Sequence, residues 1–211
     1  MNVVNTPDVF YGHKDGLALT YDVFTPGDAN RAGLLFMFSG GWVSTWMPPD
    51  QTFNYIRPLL EQGFIVFAVR HGSSPKYLIP EIAGEVRRSL QHIIENLADY
   101  HVDADRSGVF GFSAGGHLSL LLGTQTNHEG QAGSAPRVRA VVAVSPPTDL
   151  APYVEPGNPL CEQFPSLKFD PGESDLYSPP MHVTADDAAT LLVHGDKDEL
   201  VPIRHNQKIA A

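Results

Sequence analysis

Apolar and polar positions along the chain fall into short blocks with two rhythms. Across residues 17–24, Leu17, Leu19, Tyr21 and Val23 alternate with their neighbours, which predicts a half-buried, antiparallel strand early in the chain. Pro26, Gly27 and Asp28 then mark a turn. Residues 33–38, 64–69, 139–145 and 190–194 are short and largely apolar, the pattern of strands buried on both faces of a sheet. Between them lie helical stretches at 53–61 and 80–100. In the second, Ile82, Val86, Leu90, Ile93, Ile94 and Leu97 recur at helical spacing behind Pro80. Residues 70–75 read as loop, 107–124 as strand, tight turn and helix, and 201–211 as the start of a helix. Two stretches have no period. Residues 127–136 form a polar, glycine-containing connection. Residues 151–180, rich in Pro and Gly, predict an excursion over the sheet with a short helix, long enough for a binding or lid element. Strands alternating with helices predict an α/β fold: a three-layer sandwich around a mostly parallel sheet, in one domain over residues 1–211, without internal repeats.

Composition narrows the function classes. A chain of 211 residues with 42% hydrophobic and 18% charged residues suits an ordinary soluble globule. Its net charge of -10 disfavours nucleic acid and anionic membrane surfaces as partners. The single Cys161 precludes an internal disulfide, and no His, Cys and Asp cluster has metal-ligand spacing, so neither metal nor cofactor is expected. No basic segment followed by an apolar run opens the chain, and no run is long enough to span a bilayer. Compartment stays open, with cytoplasm as the default and a removed export signal as the alternative.

The candidate chemistry gathers where strands end, which is where open α/β sheets bind ligands. Gly111-Phe112-Ser113-Ala114-Gly115 follows a strand and opens a helix, the setting of a nucleophile elbow in which a serine hydroxyl stands clear of the backbone. A serine nucleophile needs a base, an orienting acid and donors for a developing oxyanion. Gly40 and Gly41, in Ser39-Gly40-Gly41-Trp42 after the first buried strand, can turn backbone N–H groups toward a substrate oxygen, and Ala114 N–H supplies a second donor. A plain tight turn is the alternative for the two glycines. A phosphate-cradling loop is disfavoured because neither glycine-rich phosphate motif is present. Asp196 and Asp198 both compete for the acid, and either can be a solvated loop carboxylate.

These pieces occur in a telling order: Gly111-Phe112-Ser113-Ala114-Gly115-Gly116-His117, a Gly-Gly-Trp turn after an early strand, and His194-Gly195-Asp196-Lys197-Asp198-Glu199-Leu200-Val201-Pro202. Together they resemble the α/β-hydrolase superfamily, specifically carboxylesterases of the hormone-sensitive-lipase-like and feruloyl or acetyl-xylan esterase-like groups, over nearly the whole chain from Leu17. The resemblance implies Ser113 as nucleophile and Asp198 as acid. It also implies an oxyanion hole at Gly40, Gly41 and Ala114, with Trp42 at the substrate. The chain departs from the family where its oxyanion motif has Phe38 and Ser39 in place of the leading His and first Gly.

The family's histidine lies well beyond the acid, after one further strand, whereas 13 residues follow Asp198. The resemblance therefore implies a chain that stops short of the last strand, the histidine loop and the closing helix. Among the histidines present, His205 is expected on the terminal helix facing solvent, and His117 one helical turn past Ser113, pointing away. His194 is expected in the core shaping the acid loop, and His71 on a loop near the cleft. His13, His92, His101, His128 and His182 are expected at the surface.

The leading expectation is a carboxylic ester hydrolase acting on small or exposed acyl esters through an acyl-enzyme, with feeble turnover for want of a base. The alternative is a catalytically incomplete fragment that binds through the same cleft. A prolyl-oligopeptidase-type peptidase is disfavoured, because the chain has no room for a propeller. Trp42, Trp46, Tyr153 and Phe164 are candidate cleft aromatics, and the apolar edge at 190–194 predicts a homodimer.

Overall fold

The computed structural model describes residues 1–125 and 138–211. The predicted connection at 127–136 lies outside them. Seven strands form one sheet: β1 (Val3–Lys14), β2 (Leu17–Pro26), β3 (Gly33–Met37), β4 (Ile65–Val69), β5 (Ser107–Phe112), β6 (Ala140–Val144) and β7 (Ala189–Val193). Their order is β1-β2-β4-β3-β5-β6-β7. The two pairings that involve β2 are antiparallel and all others are parallel.

The buried strands sort their side chains by alternation. Leu35, Met37, Ile65, Phe67 and Val69 face one way, into a core shared with helices α2 (Ile79–Glu95) and α3 (Ala114–Gln125). Phe36, Val66 and Ala68 face the other way, against Ile56 and Leu60 of α1 (Pro49–Leu60). Period-two strands between helices that each bury one stripe yield three layers. On the α1 side the cover stops short of β7. Phe112, Val144 and Val193 are register neighbours, and Phe112 and Val193 remain 51% and 45% exposed, with Leu191 at 57%.

β1 is the element that the hydrophobic pattern does not announce. Half of its positions are exposed and only Tyr11 is buried, and Asp8 takes a left-handed φ of 53° within the first of two register shifts against β2. An edge strand interrupted in this way shows little alternation. The excursion at 151–180 holds α4 (Ala151–Val154), α5 (Pro159–Gln163) and three short 3-10 turns, more helix than the single one expected. Each segment starts at or beside a proline, which fits a first helical position and interrupts anything longer. The excursion is tied down at several points. Ser166 Oγ donates to Tyr77 O (3.0 Å), and Ser178 Oγ accepts from Leu150 N (3.0 Å) and donates to Ser174 O (2.9 Å). The short helix α6 (Arg204–Ala210) follows the acid loop.

Burial sets the expected mutational contrast. Leu35→Ala, in the shared core, should cost about 2–5 kcal/mol, and Leu191→Ala, on the uncovered face, no more than about 0.5 kcal/mol. Urea unfolding of dilute protein checks both.

Candidate active site

The elbow rests on backbone packed against backbone. A Cβ on Gly111 would stand 2.3 Å from the carbonyl carbon of Gly115, and one on Gly115 would stand 2.3 Å from Met37 O. Only glycine lets β3, β5 and α3 approach so closely. Between these glycines Ser113 adopts φ 51°, a left-handed conformation that costs a non-glycine residue roughly 1–3 kcal/mol. Neighbours hold it there: Ser113 N donates to Val144 O (2.7 Å), His117 N to Ser113 O (3.0 Å) and Gly115 N to Ser39 O (3.1 Å).

The Gly-Gly-Trp stretch is a tight turn. Gly40 and Val43 exchange two backbone hydrogen bonds, Gly40 N to Val43 O (3.1 Å) and Val43 N to Gly40 O (3.0 Å). Gly41 and Trp42 between them have φ 56° and 58°, the positive pair of a type I′ turn. This corrects the oxyanion expectation at one residue: the Gly40 N–H is already bonded within the turn. Among the described residues, the N–H groups of Gly41 and Ala114 have no hydrogen-bond partner. Gly41 also meets Phe164, whose ring carbons lie 2.9 Å from where a Cβ would stand.

Trp42, a bulky residue at positive φ, is pinned at both ends. Ser74 N donates to its carbonyl (3.2 Å), and its indole Nε1–H donates to His117 Nδ1 (3.3 Å). Because Nδ1 accepts, the His117 proton sits on Nε2 and is donated to Tyr177 O (2.7 Å). One buried imidazole thus ties the Gly-Gly-Trp turn, the serine helix and the excursion together. Burial lowers its pKa from 6.5 to about 4, so it stays neutral with both nitrogens engaged.

Asp198 lies past the end of β7, one strand beyond β6 from the serine. Two strand spacings separate the ends of β5 and β7 by about 10 Å, a gap of the size an imidazole would bridge. Its Oδ1 accepts from Val201 N (2.9 Å) and Leu200 N (3.1 Å). These bonds, Val201 first, outweigh burial and, with the Ser145 hydroxyl and His194, hold the carboxyl below its ordinary pKa. His194 donates from Nε2 to Val201 O (2.6 Å), closing the loop that presents Asp198, as its expected role requires. Asp196 is exposed in the turn between them.

Two other histidines depart from expectation or leave the cleft. His205 is on the terminal helix but faces inward, only 3% exposed. Its Nδ1 lies 3.1 Å from Thr148 N and 3.2 Å from Asp149 N, its Nε2 meets the Tyr153 hydroxyl, and its ring stacks on Tyr153. Two backbone donors and the Tyr153 hydroxyl hold it in the core, where burial lowers its pKa to about 4. His71 is also buried, with Nδ1 bonded to Gly72 O (2.6 Å) and its pKa lowered by burial to about 4. It does not line the cleft.

That cleft, open to solvent, is lined by Gly41, Trp42, Ser113, Ala114, Leu200 and Val201. Tyr153, Leu160, Phe164 and Leu167 of the excursion form a wall. Trp42, Tyr153 and Phe164 are therefore cleft aromatics, while Trp46 is 58% exposed outside it. Among the described residues no group of His, Cys, Asp and Glu is arranged to hold a metal ion, and no helix is long and apolar enough to cross a membrane.

A parallel-rich sheet with a serine turn after β5 and an acidic loop after β7 defines an α/β-hydrolase fold, and solved structures agree. A truncated form of a carbohydrate esterase from gut microbiota superposes with a TM-score of 0.79 at 27% identity, over 98% of this chain and 82% of that one. The chain belongs to the BD-FAE family, whose model matches residues 21–211. In Mycobacterium tuberculosis, the probable carboxylic ester hydrolase LipM is 29% identical over 93% of this chain and the esterase LipQ 27% over 98%. The chain spans about half the length of these curated relatives, 49% and 52% respectively.

Three buried neutral histidines make stability depend on pH. Unfolded, His71, His117 and His205 titrate near 6.5; folded, near 4. Between those values the unfolded chain binds protons that the folded chain does not. Stability is therefore full above about pH 6.5 and falls toward pH 4, by up to about 1.4 kcal/mol per pH unit for each histidine. Glu85, raised by burial, opposes this over part of the window, so the comparison is with His117→Gln. Urea midpoints from pH 7.5 to 4.5 should fall less steeply in that variant, and parallel profiles would contradict the assignment.

Proposed function

We propose that this protein is a serine-dependent carboxylic ester hydrolase. The observation that carries the reading is Ser113, held at a left-handed apex between Gly111 and Gly115 and opening on a cleft beside two unpartnered backbone donors. The names of its relatives, a probable carboxylic ester hydrolase, an esterase and a carbohydrate esterase, support the same class.

In this reading Ser113 Oγ attacks the ester carbonyl carbon and the carbonyl π electrons move to oxygen. The Gly41 and Ala114 N–H groups hold that oxyanion. As the tetrahedral intermediate collapses, the C–O bond to the alcohol breaks, the alcohol leaves with a proton and the acyl group stays on Ser113. Water then attacks the acyl-enzyme and releases the acid. Asp198 is the orienting acid. The serine proton needs a base, and both His117 and His205 have both nitrogens engaged. With the base unsupplied by the described residues, acylation runs on the oxyanion hole and binding alone, which typically leaves a residual ~10³–10⁴-fold over water. The same observation favours a second reading, a cleft that binds without turnover.

The largely apolar cleft, with Trp42 at the ester, suits small or exposed acyl esters. The uncovered apolar side chains of β7, Leu191 and Val193, support self-association through that strand; sedimentation that stays monomeric at high concentration would contradict it.

Hydrolysis of p-nitrophenyl acetate, followed with intact mass, separates the two readings of the cleft. The ester-hydrolase reading expects an acetyl adduct on Ser113 and slow p-nitrophenolate release, both lost in Ser113→Ala. Equal release by both chains with no adduct would leave the binding reading.

A further inference from the structure

The cleft walls are nearly all apolar, so the few hydrogens they offer decide what is recognised. Of the side chains that line it, three carry an N–H or O–H: Trp42, Ser113 and Tyr153. The Trp42 indole hydrogen is engaged by His117. Ser113 is the reacting group in the reading above, which leaves Tyr153.

His205 fixes where the Tyr153 hydrogen goes. Thr148 N and Asp149 N are both donors, and both meet His205 Nδ1, which must therefore be an unprotonated acceptor. A neutral imidazole carries one hydrogen, so it sits on Nε2 and is donated to the Tyr153 hydroxyl oxygen. Tyr153 receives hydrogen bonds there and from the Arg204 side chain, itself a donor only, and keeps its own hydrogen to give. Thr148 Oγ1 also donates to His205 O (2.7 Å), so ring and backbone of His205 are locked together. Among the described residues no acceptor takes the Tyr153 hydrogen. Burial, opposed by the Arg204 charge, raises the phenol above its ordinary pKa, so that hydrogen is present at neutral pH.

The geometry points to Tyr153 as the specificity-determining donor of the cleft, with His205 as its positioning residue. The ligands it selects are esters whose acyl or alcohol group carries an ether, hydroxyl or carbonyl oxygen, over plain alkyl esters of the same shape. The assignment rests on the cleft being the ester site.

Methyl methoxyacetate and methyl butyrate test it, because they differ in shape only by an oxygen in place of a methylene. Their binding is read by ligand-observed saturation-transfer NMR titration, which needs no signal from Tyr153, and the ring ¹⁵N signals of His205 report its tautomer. Expected are a protonated Nε2 and unprotonated Nδ1 at pH 7, and methoxyacetate binding tighter by about threefold to tenfold, the scale of one neutral hydrogen bond. In Tyr153→Phe the two should bind equally. Equal binding by the unaltered chain, a preference that survives in Tyr153→Phe, or the opposite tautomer would each overturn the assignment. Acylation of Ser113 by the p-nitrophenyl esters of the same two acids is scored separately. A binding preference without acylation refutes the hydrolase reading and leaves Tyr153 standing as the recognition residue. Acylation without a preference refutes Tyr153 alone.

Discussion

The contact on which the site depends is backbone against backbone: Gly115 of α3 lies over the carbonyl of Met37 at the end of β3, while Gly111 of β5 lies against Gly115 itself. No side chain fits between these segments. Their approach places the serine helix directly on the sheet, forces Ser113 into its left-handed turn and brings Ala114 N–H to the end of β3, where the Gly-Gly-Trp turn begins. Compression of the elbow and exposure of its hydroxyl are thus one structural fact. The roughly 1–3 kcal/mol of conformational cost at Ser113 is offset by the bonds to Val144, His117 and Ser39 that the same packing creates.

Around this contact, buried histidines act as fixed joints. His117 joins the Gly-Gly-Trp turn to the excursion through Trp42 and Tyr177, His194 closes the acid loop through Val201, and His205 joins β6's exit to Tyr153. For His117 and His205 the partners leave one tautomer, and for both burial makes the neutral form the stable one. Neither is free to accept a proton from Ser113. In the proposed reading the cleft thus offers two backbone donors to an oxyanion, and neither of these two histidines can activate the hydroxyl.

Much of this was legible because it is local. Uniform apolar runs mark β3, β4, β6 and β7, and flanking glycines mark the serine turn, because burial and close approach restrict composition directly. The rest depends on partners far away in sequence. His205 sits in a seven-residue helix too short to show a periodic face, and its partners Thr148 and Tyr153 are 57 and 52 residues away. Gly40 and Gly41 look alike in sequence, yet a cross-turn bond to Val43 occupies the N–H of the first. β1 is hidden by its exposure and by the bulge at Asp8.

Glycine at the elbow is a steric necessity, and two alanine substitutions, one at an open helical site and one at the elbow, put that to the test. Gly84, inside α2, has nothing within 4 Å of an added Cβ, whereas Gly115 would meet a backbone carbonyl at 2.3 Å. Urea unfolding should show Gly84→Ala unchanged or stabilised by up to about 1 kcal/mol, and Gly115→Ala destabilised by at least about 2 kcal/mol, since backbone cannot move aside as a side chain can. A Gly115→Ala chain as stable as the parent would contradict the account.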